Sequence, residues 1–453
     1  MRKDEYLDIV QEQIRCMQAR DGVRRELEGH IEEQTECYQS QGIASREAEE
    51  MAVRDMGDPV ETGNAMDRIH RPKMAWKSIG VIVGISLVTF ILQYILRNSA
   101  PERVIYSGSW IPGGAPRYLM MHIAGWGVMI GVCYLDYTRI GKYAVQLMLL
   151  GCVGIKLMEV LFAVPVNGAA CWIFAGQSIS IRMVMFLFLP IYGAVLYRYR
   201  GQGYQGVAAG VLWILPSFII MLSESGLLIG LIIGITYMVM LTVAIWKDWF
   251  VVSKKITIAA LWSVLLFLAY FGLSYIKYHG ASYQKARLAV LLDPYGTDAG
   301  YMTTVMRKLL SGSRLLGTKA GFIGDSEGII DTGAYTLSLI CAYYGMFVTV
   351  VLVASILLLI LYFVRMSIRQ KNQLGMIMGT GCSVVFLVEL LLYTMGNIGL
   401  LPGVSYCPFL GYGGTGIMIT YILLGILLSV YRYEHVAAEV KIEKPVYVRQ
   451  EEG

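Results

Sequence analysis

Two hydropathy patterns divide the chain. Residues 4–70 place apolar side chains at three- and four-residue steps, and the remainder runs in apolar blocks near 20 residues long. Steps of three and four put side chains on one face of a helix. Leu7, Val10 and Ile14 predict a first amphipathic helix, and Val23, Leu27 and Ile31 a second. A third spans about residues 44–56. Asp58-Pro59-Val60-Glu61 opens a fourth that reaches about Ile69. Asp serves as cap, Pro takes the first helical position, and Glu lies three residues after the cap. Four such helices make a small bundle with a thin core.

The apolar blocks fall at about 78–96, 118–136, 144–164, 182–197, 205–222, 226–246, 256–276, 334–364, 375–395 and 412–431. About 20 apolar residues are needed to cross a bilayer as a helix, so ten spans are predicted. The eighth is long enough to tilt or to begin outside the bilayer. Arg139 and Lys142; Arg198 and Arg200; Lys247, Lys254 and Lys255; and Arg365, Arg369 and Lys371 fall on alternate loops. Arg68, Arg71, Lys73 and Lys77 precede the first span. The positive-inside rule puts all of these, and both termini, on the cytoplasmic side of the cell membrane. Three units follow: a cytoplasmic helical domain 1–73, a membrane domain 74–435 and a cytoplasmic tail 436–453. The fold class is all-α and polytopic. Residues 277–333 form a long outer connection rich in both charges, with a helical stretch near 302–310. Long connections of this kind are often functional.

Composition supports the division. Charged residues make up 16% of the 453 and apolar ones 56%, against about 25% charged in a soluble domain. That excludes a water-soluble enzyme and a disordered chain. Residues 1–77 carry 12 Lys and Arg against 17 Asp and Glu, a net of −5, and the rest carry 26 against 16, a net of +10. The polar first 70 residues leave the first apolar block to act as a signal-anchor. Eight cysteines lack CxxC spacing and read as small buried apolar groups. Glu26 and His30 have a metal-compatible spacing but no further ligands nearby, so no metal site is expected.

Ionisable groups inside the blocks are costly and usually face a cavity or a partner. Lys156 and Glu159, three apart, read equally as a self-neutralising pair or as cavity residues. Arg182 opens the fourth block, Glu224 sits between the fifth and sixth, and Glu389 lies within the ninth. The last two read more readily as functional.

Motifs then suggest relatives. Arg24-Arg25-Glu26-Leu27-Glu28-Gly29-His30, Gly42-Ile43-Ala44-Ser45 and Met56-Gly57-Asp58-Pro59 resemble the permease-prefix helical module, which carries no known chemistry and implies docking or regulation. Asn397-Ile398-Gly399-Leu400-Leu401-Pro402-Gly403, followed by Pro408-Phe409-Leu410-Gly411-Tyr412-Gly413-Gly414, resembles the FtsW/RodA/SpoVE (SEDS) family, with Gly411 in place of the usual Ser. Val166-Asn167-Gly168-Ala169-Ala170-Cys171-Trp172 looks like the family's Asn-Gly-Ala-x-x-Trp loop. Ser223-Glu224-Ser225-Gly226 stands where the family has Pro-Asp-Leu-Gly. Tyr283 to Arg287, Leu292-Asp293-Pro294 and Ser311 to Gly317 match its large outer loop in order.

The resemblance implies a peptidoglycan glycosyltransferase that polymerises lipid II at the outer membrane face. Its role would lie in division, cell shape or sporulation, beside a class B penicillin-binding protein. Substrate contacts would come from Arg182, Glu224, Arg287, Asp293, Lys308 and Arg314. Asn167, Gly168, Trp172, Pro294, Pro402, Pro408, Gly413 and Gly414 would be motif positions of structural weight. No cofactor is expected, a divalent cation at the pyrophosphate being the one candidate. Membrane lipids are expected neighbours and nucleic acid is not.

Two departures matter. The family's catalytic Asp lies eleven residues before a Gly, and counting back from Gly345 gives Ala334. The nearest acid is Asp331, about 5 Å away by helical rise, with Asp325 and Glu327 more remote. The family's Glu–Lys pair at the fourth span is reduced here to Arg182, in Gln177-Ser178-Ile179-Ser180-Ile181-Arg182. Asp331 is therefore the expected catalytic base of an active enzyme. A catalytically silent SEDS-like protein that binds precursor or scaffolds a transpeptidase is the alternative, and a flippase for lipid-linked precursor the third.

Overall fold

The computed structural model describes residues 1–99, 114–166, 169–174, 177–223, 227–293, 301–317, 334–401, 406–411, 413–434 and 436. Four helices open the chain: α1 Lys3–Gln13, α2 Met17–Ser40, α3 Ser45–Asp55 and α4 Pro59–Ile69. They pack on one another through the predicted stripe. Leu7, Val10 and Ile14 of the first repeat and Val23, Leu27 and Ile31 of the second are all at most 2% exposed. One ion pair is part of this core: Asp67, buried, accepts from the Arg15 backbone N–H at 2.9 Å and from Arg15 Nε at 3.1 Å. His30 stays exposed, 3.9 Å from Glu33.

The α4 cap forms as the sequence predicts. The Asp58 carboxylate accepts from the Glu61 N–H at 3.2 Å, with Pro59 at the first helical position. Asp58→Ala is expected to cost about 1 kcal/mol of α4 stability. Amide hydrogen exchange on the full chain should show protection at Glu61 and Thr62 falling about fivefold. Unchanged protection would mean that packing alone holds the start of α4.

The remainder continues with α5 Trp76–Ser99, α6 Gly114–Tyr134, a short α7 Thr138–Lys142 and α8 Ala144–Phe162. Three strands follow, β1 Ala163–Val166, β2 Ala169–Phe174 and β3 Gln177–Ser180. Then come α9 Ile181–Val184, a 3₁₀ turn at Met185–Leu187 and α10 Phe188–Arg198. The series goes on with α11 Gly203–Leu212, α12 Leu215–Ser223, α13 Leu227–Trp246, α14 Lys254–His279, α15 Ser282–Leu292 and α16 Tyr301–Ser311. It ends with α17 Thr336–Tyr344, α18 Met346–Ile368, α19 Gln373–Asn397 and α20 Gly414–Arg432. Among the described residues nine helical stretches are long and apolar enough to cross a membrane. The chain is a multi-pass membrane protein, and its described residues are helical in fold apart from one small sheet.

Burial orders the spans. The windows of α19 and α20 are 83% and 72% buried, whereas that of α14 is 6% buried. The last two spans are thus the centre of the bundle, and α14 presents its apolar surface outward. α6 lies along α20 for its whole length. Ser429 Oγ of α20 donates to Leu135 O, and Tyr433 just beyond it donates to Tyr134 O. The contact is close because Gly425 leaves room for Met129 and Val132.

The second block forms its helix, α6, alongside α20, with Arg117 and His122 lowering its apolarity below that of the other spans. Two expectations are corrected. The eighth block is not one helix. It breaks at Gly345 (φ 99°), separating the buried α17 from the spanning α18. The carbonyls of Arg314 and Leu315 accept the Met346 and Phe347 N–H groups at 3.0 and 3.1 Å, supplying partners that a helix start otherwise lacks. The stretch from 166 to 172, likened to a family loop, contributes to an antiparallel sheet in the order β1-β2-β3. Asn-Gly between two apolar runs is the strongest short-range hairpin signal, and Asn167-Gly168 carried it.

Candidate functional site

The sheet is tied to the start of α20. The Ser180 N–H donates to Thr415 Oγ1 at 3.1 Å, and that hydroxyl donates to Ser178 O at 3.2 Å. A cavity of about 260 Å³ opens beside this junction. Arg117, Tyr118 and Met121 of α6 line one side, Ser178, Ser180 and Met183 another, and Tyr406 with Gly413–Ile417 the third. The cavity lies at the N-terminal ends of α6 and α20. The N-terminal helices join the opposite end, where the Lys73 N–H donates to Arg432 O. Nineteen residues of α20 separate the two, roughly 28 Å at 1.5 Å per residue.

The chemistry of the lining favours an anion with hydroxyl-rich attachments. The first-turn N–H groups of α20 lack intrahelical acceptors and carry the positive end of the helix dipole. Arg117 adds a full positive charge on the facing helix. Ser178, Ser180, Thr415 and Tyr406 supply hydroxyls. Removal of the Tyr406 phenol from water raises its pKa well above the ordinary value, so it stays a neutral hydroxyl. It accepts from Thr420 Oγ1 at 3.2 Å. Glu389 is buried inside α19, 3% exposed. Among the described residues no three His, Cys, Asp or Glu side chains cluster as metal ligands do.

The sequence-predicted residues scatter around this cavity. Gly413 and Gly414 line it. Arg182 sits in α9 beside the lining residue Met183, and Trp172 is half-buried in β2, paired with Ala163 and Ile179. Pro408 is buried in the turn before Gly411. Lys308 and Arg314 are exposed, and Asp293 caps the end of α15 in solvent. These last three are not among the lining residues. Arg287 belongs to α15, but its side chain lies outside the described set. Asp331, Glu224, Asn167, Gly168, Pro294 and Pro402 are outside the described residues altogether. Lys156 and Glu159 close on each other at 2.7 Å on α8. Arg117 and Tyr406 are among the lining residues the sequence did not single out. Arg117 opens a block after an outer loop, the position where a cation meets headgroups, and that position was its one available signal.

The family model for FtsW/RodA/SpoVE, described as cell cycle protein, matches residues 79–436. The chain belongs to this family. Among its relatives are two proteins named probable peptidoglycan glycosyltransferase FtsW. That of Geobacter sulfurreducens is 25% identical over 327 residues, covering 68% of this chain and 82% of the relative. That of Enterococcus hirae is 24% identical over 379 residues, covering 79% and 92%. Two solved structures share the fold. A chain from a peptidoglycan synthase complex, described as coordinating polymerization and crosslinking, superposes with a TM-score of 0.65 at 18% identity, covering 80% of this chain and 98% of that one. The rod shape determining protein RodA of Thermus thermophilus does so with a TM-score of 0.51 at 16% identity, covering 79% and 97%.

Two departures of this FtsW/RodA/SpoVE member have a visible setting. A Cβ at Gly411 would stand 2.5 Å from the Tyr406 ring. The ring occupies the space that the family's Ser would need. Ala334, the position implied for the family's acid, is half-buried against the apolar core at the start of α17. Its carbonyl accepts from Asn397 Nδ2 at 3.4 Å. Position 334 itself holds no carboxylate.

Proposed function

We propose that this protein is a peptidoglycan glycosyltransferase of the outer membrane face, joining the disaccharide units of lipid II into glycan strands. The observation that carries the reading is the cavity at the start of α20. Its arginine and free helix N–H groups suit a pyrophosphate, and its hydroxyls suit sugar. The family and the relatives named peptidoglycan glycosyltransferase support it. The Lys and Arg pattern of the loops favours the cytoplasmic membrane with both termini inside, which turns the cavity outward. The protein acts in division, cell shape or sporulation. A class B penicillin-binding protein is its partner, in keeping with the polymerization and crosslinking described for the structurally similar complex. The helices before residue 74 form a cytoplasmic docking unit.

One observation favours a second reading. With Ala334 in the family's acid position, a silent member that holds lipid-linked precursor or scaffolds a transpeptidase needs no base. Labelled lipid II, given to purified protein free of other polymerases, separates the two. Glycan strands from wild type and none from Asp331→Ala are the expected outcome. Full polymerisation by Asp331→Ala would remove Asp331 as the base, and no polymer from wild type would leave the silent reading. Movement of lipid II across liposomes without polymer would point to the third reading, a flippase.

A further inference from the structure

Directly beneath the cavity, α5, α6 and α20 share one buried polar cluster. Tyr421 OH lies 2.8 Å from Trp126 Nε1, 2.8 Å from His122 Nδ1 and 3.0 Å from Ser86 Oγ. Ser86 Oγ in turn donates to Ile82 O within its own helix. The proton positions follow from counting. The single hydroxyl proton of Ser86 goes to a carbonyl, which only accepts. The Tyr421 proton must then go to Ser86. Trp126 is donor only, so the remaining lone pair of Tyr421 accepts from His122, and Nδ1 carries the proton. The other ring nitrogen, Nε2, is left as a bare acceptor. It is buried and has no hydrogen-bond partner among the described residues.

The position of this acceptor gives it a use. Tyr118 and His122 are one helical turn apart on α6, and Ile417 and Tyr421 one turn apart on α20. Tyr118 and Ile417 line the cavity and His122 does not, so the cluster lies one helical turn below that lining. The Tyr118 ring stands edge-on to the His122 ring, 4.7 Å between centroids. Gly125 lets the Tyr421 ring lie against α6, since a Cβ there would collide with it. A buried acceptor left without a donor costs free energy until a donor reaches it. A cluster that spends three neighbours on fixing one tautomer, and leaves its acceptor beneath a hydroxyl-lined cavity, is arranged for a donor arriving from that cavity.

We propose that His122 Nε2 is the hydrogen-bond acceptor of the cavity floor, taking an O–H donor: a hydroxyl of the bound sugar when the site is loaded, water when it is not. The sugar assignment rests on the glycosyltransferase reading; the tautomer and the acceptor do not. The test uses full-length protein in nanodiscs, labelled with ¹⁵N-histidine, with His30, His70, His279 and His435 changed to Gln so that His122 is the one signal. The expected spectrum has a protonated Nδ1 and a proton-free, hydrogen-bonded Nε2. Lipid II should move the Nε2 resonance while undecaprenyl diphosphate, which has no sugar, leaves it in place; a solvent-isotope shift without a lipid response would assign the donor as water. A proton on Nε2 in the resting protein, or an Nε2 frequency typical of no hydrogen bond in every state, overturns the proposal. In polymerisation assays His122→Asn keeps an N–H for Tyr421 and loses the Nε2 acceptor. It should raise the KM for lipid II about tenfold with kcat within about twofold. An unchanged KM overturns the sugar assignment, whereas absence of polymer from wild type counts against the glycosyltransferase reading and leaves the tautomer result standing.

Discussion

Gly345→Ala is expected to lower the stability of the whole membrane domain by about 3–5 kcal/mol, the sum of a strained backbone and a forced contact. Gly345 has φ 99° and ψ 166°, a region that essentially only glycine occupies. A Cβ there would also stand 2.7 Å from Leu315 O and 2.8 Å from Leu316 Cα. Those atoms are backbone and cannot rotate away. They cannot easily retreat either, because Arg314 and Leu315 cap α18 and the Gly317 N–H donates to Tyr344 O at 3.1 Å. The loss should appear as a lower melting point of the detergent-solubilised protein by size exclusion after heating. A change below about 1 kcal/mol would mean that the α17–α18 junction relaxes freely.

Asn397→Ala should cost about 2–4 kcal/mol, because its amide satisfies several buried groups at once. Asn397 Oδ1 accepts the Ser338 N–H at 3.1 Å, while Nδ2 donates to Tyr393 O at 3.0 Å and to Ala334 O at 3.4 Å. The Ser338 hydroxyl donates to Asn397 O at 2.6 Å. Asn397 is 1% exposed and Ser338 as little, so water cannot replace the lost partner. The same melting measurement checks this, with Asn397→Asp as a second variant. Aspartate keeps the acceptor for Ser338 but turns an oxygen on the Tyr393 and Ala334 carbonyls in a site without water, so it should lose at least as much as alanine. Equal melting of all three would show that α17 is held by its apolar contacts alone.

Much of the fold was written in the hydropathy pattern. The stripes of residues 7–31 and the Asp58-Pro59 start came out within a residue or two, because amphipathic period and capping chemistry are local. The apolar blocks became helices for a similar reason: in lipid, an apolar run must satisfy its own backbone, and a helix does so. The exceptions depended on partners distant in sequence. At Gly345 the glycine of the family's turn was the one local signal of a break, and the carbonyls that cap α18 come from residues 314 and 315. The strands at 163–180 had a local signal in Asn167-Gly168, but their place in the fold is set by Thr415, more than two hundred residues later.

The candidate site divides the same way. Gly413 and Gly414 were legible as a motif, and they do line the cavity. Arg117 was not, because a single cation at a block end has the same local pattern whether it anchors a headgroup or faces a cavity. Nor was His122, a lone histidine in an apolar stretch. Its use as an acceptor follows only from how Ser86, Trp126 and Tyr421 exhaust one another's hydrogen-bonding capacity. The sequence by itself determined an acidic helical head, a multi-pass apolar body, the family motifs and the lack of an acid at position 334. All of these are properties of runs, spacings or single letters. The tertiary structure alone decided that α6 and α20 lie side by side, that the sheet docks on the first turn of α20, and that a cavity with a fixed acceptor beneath it results. Those features arise between residues up to 335 positions apart, and hydropathy along the chain carries no information about which helix becomes the neighbour of which.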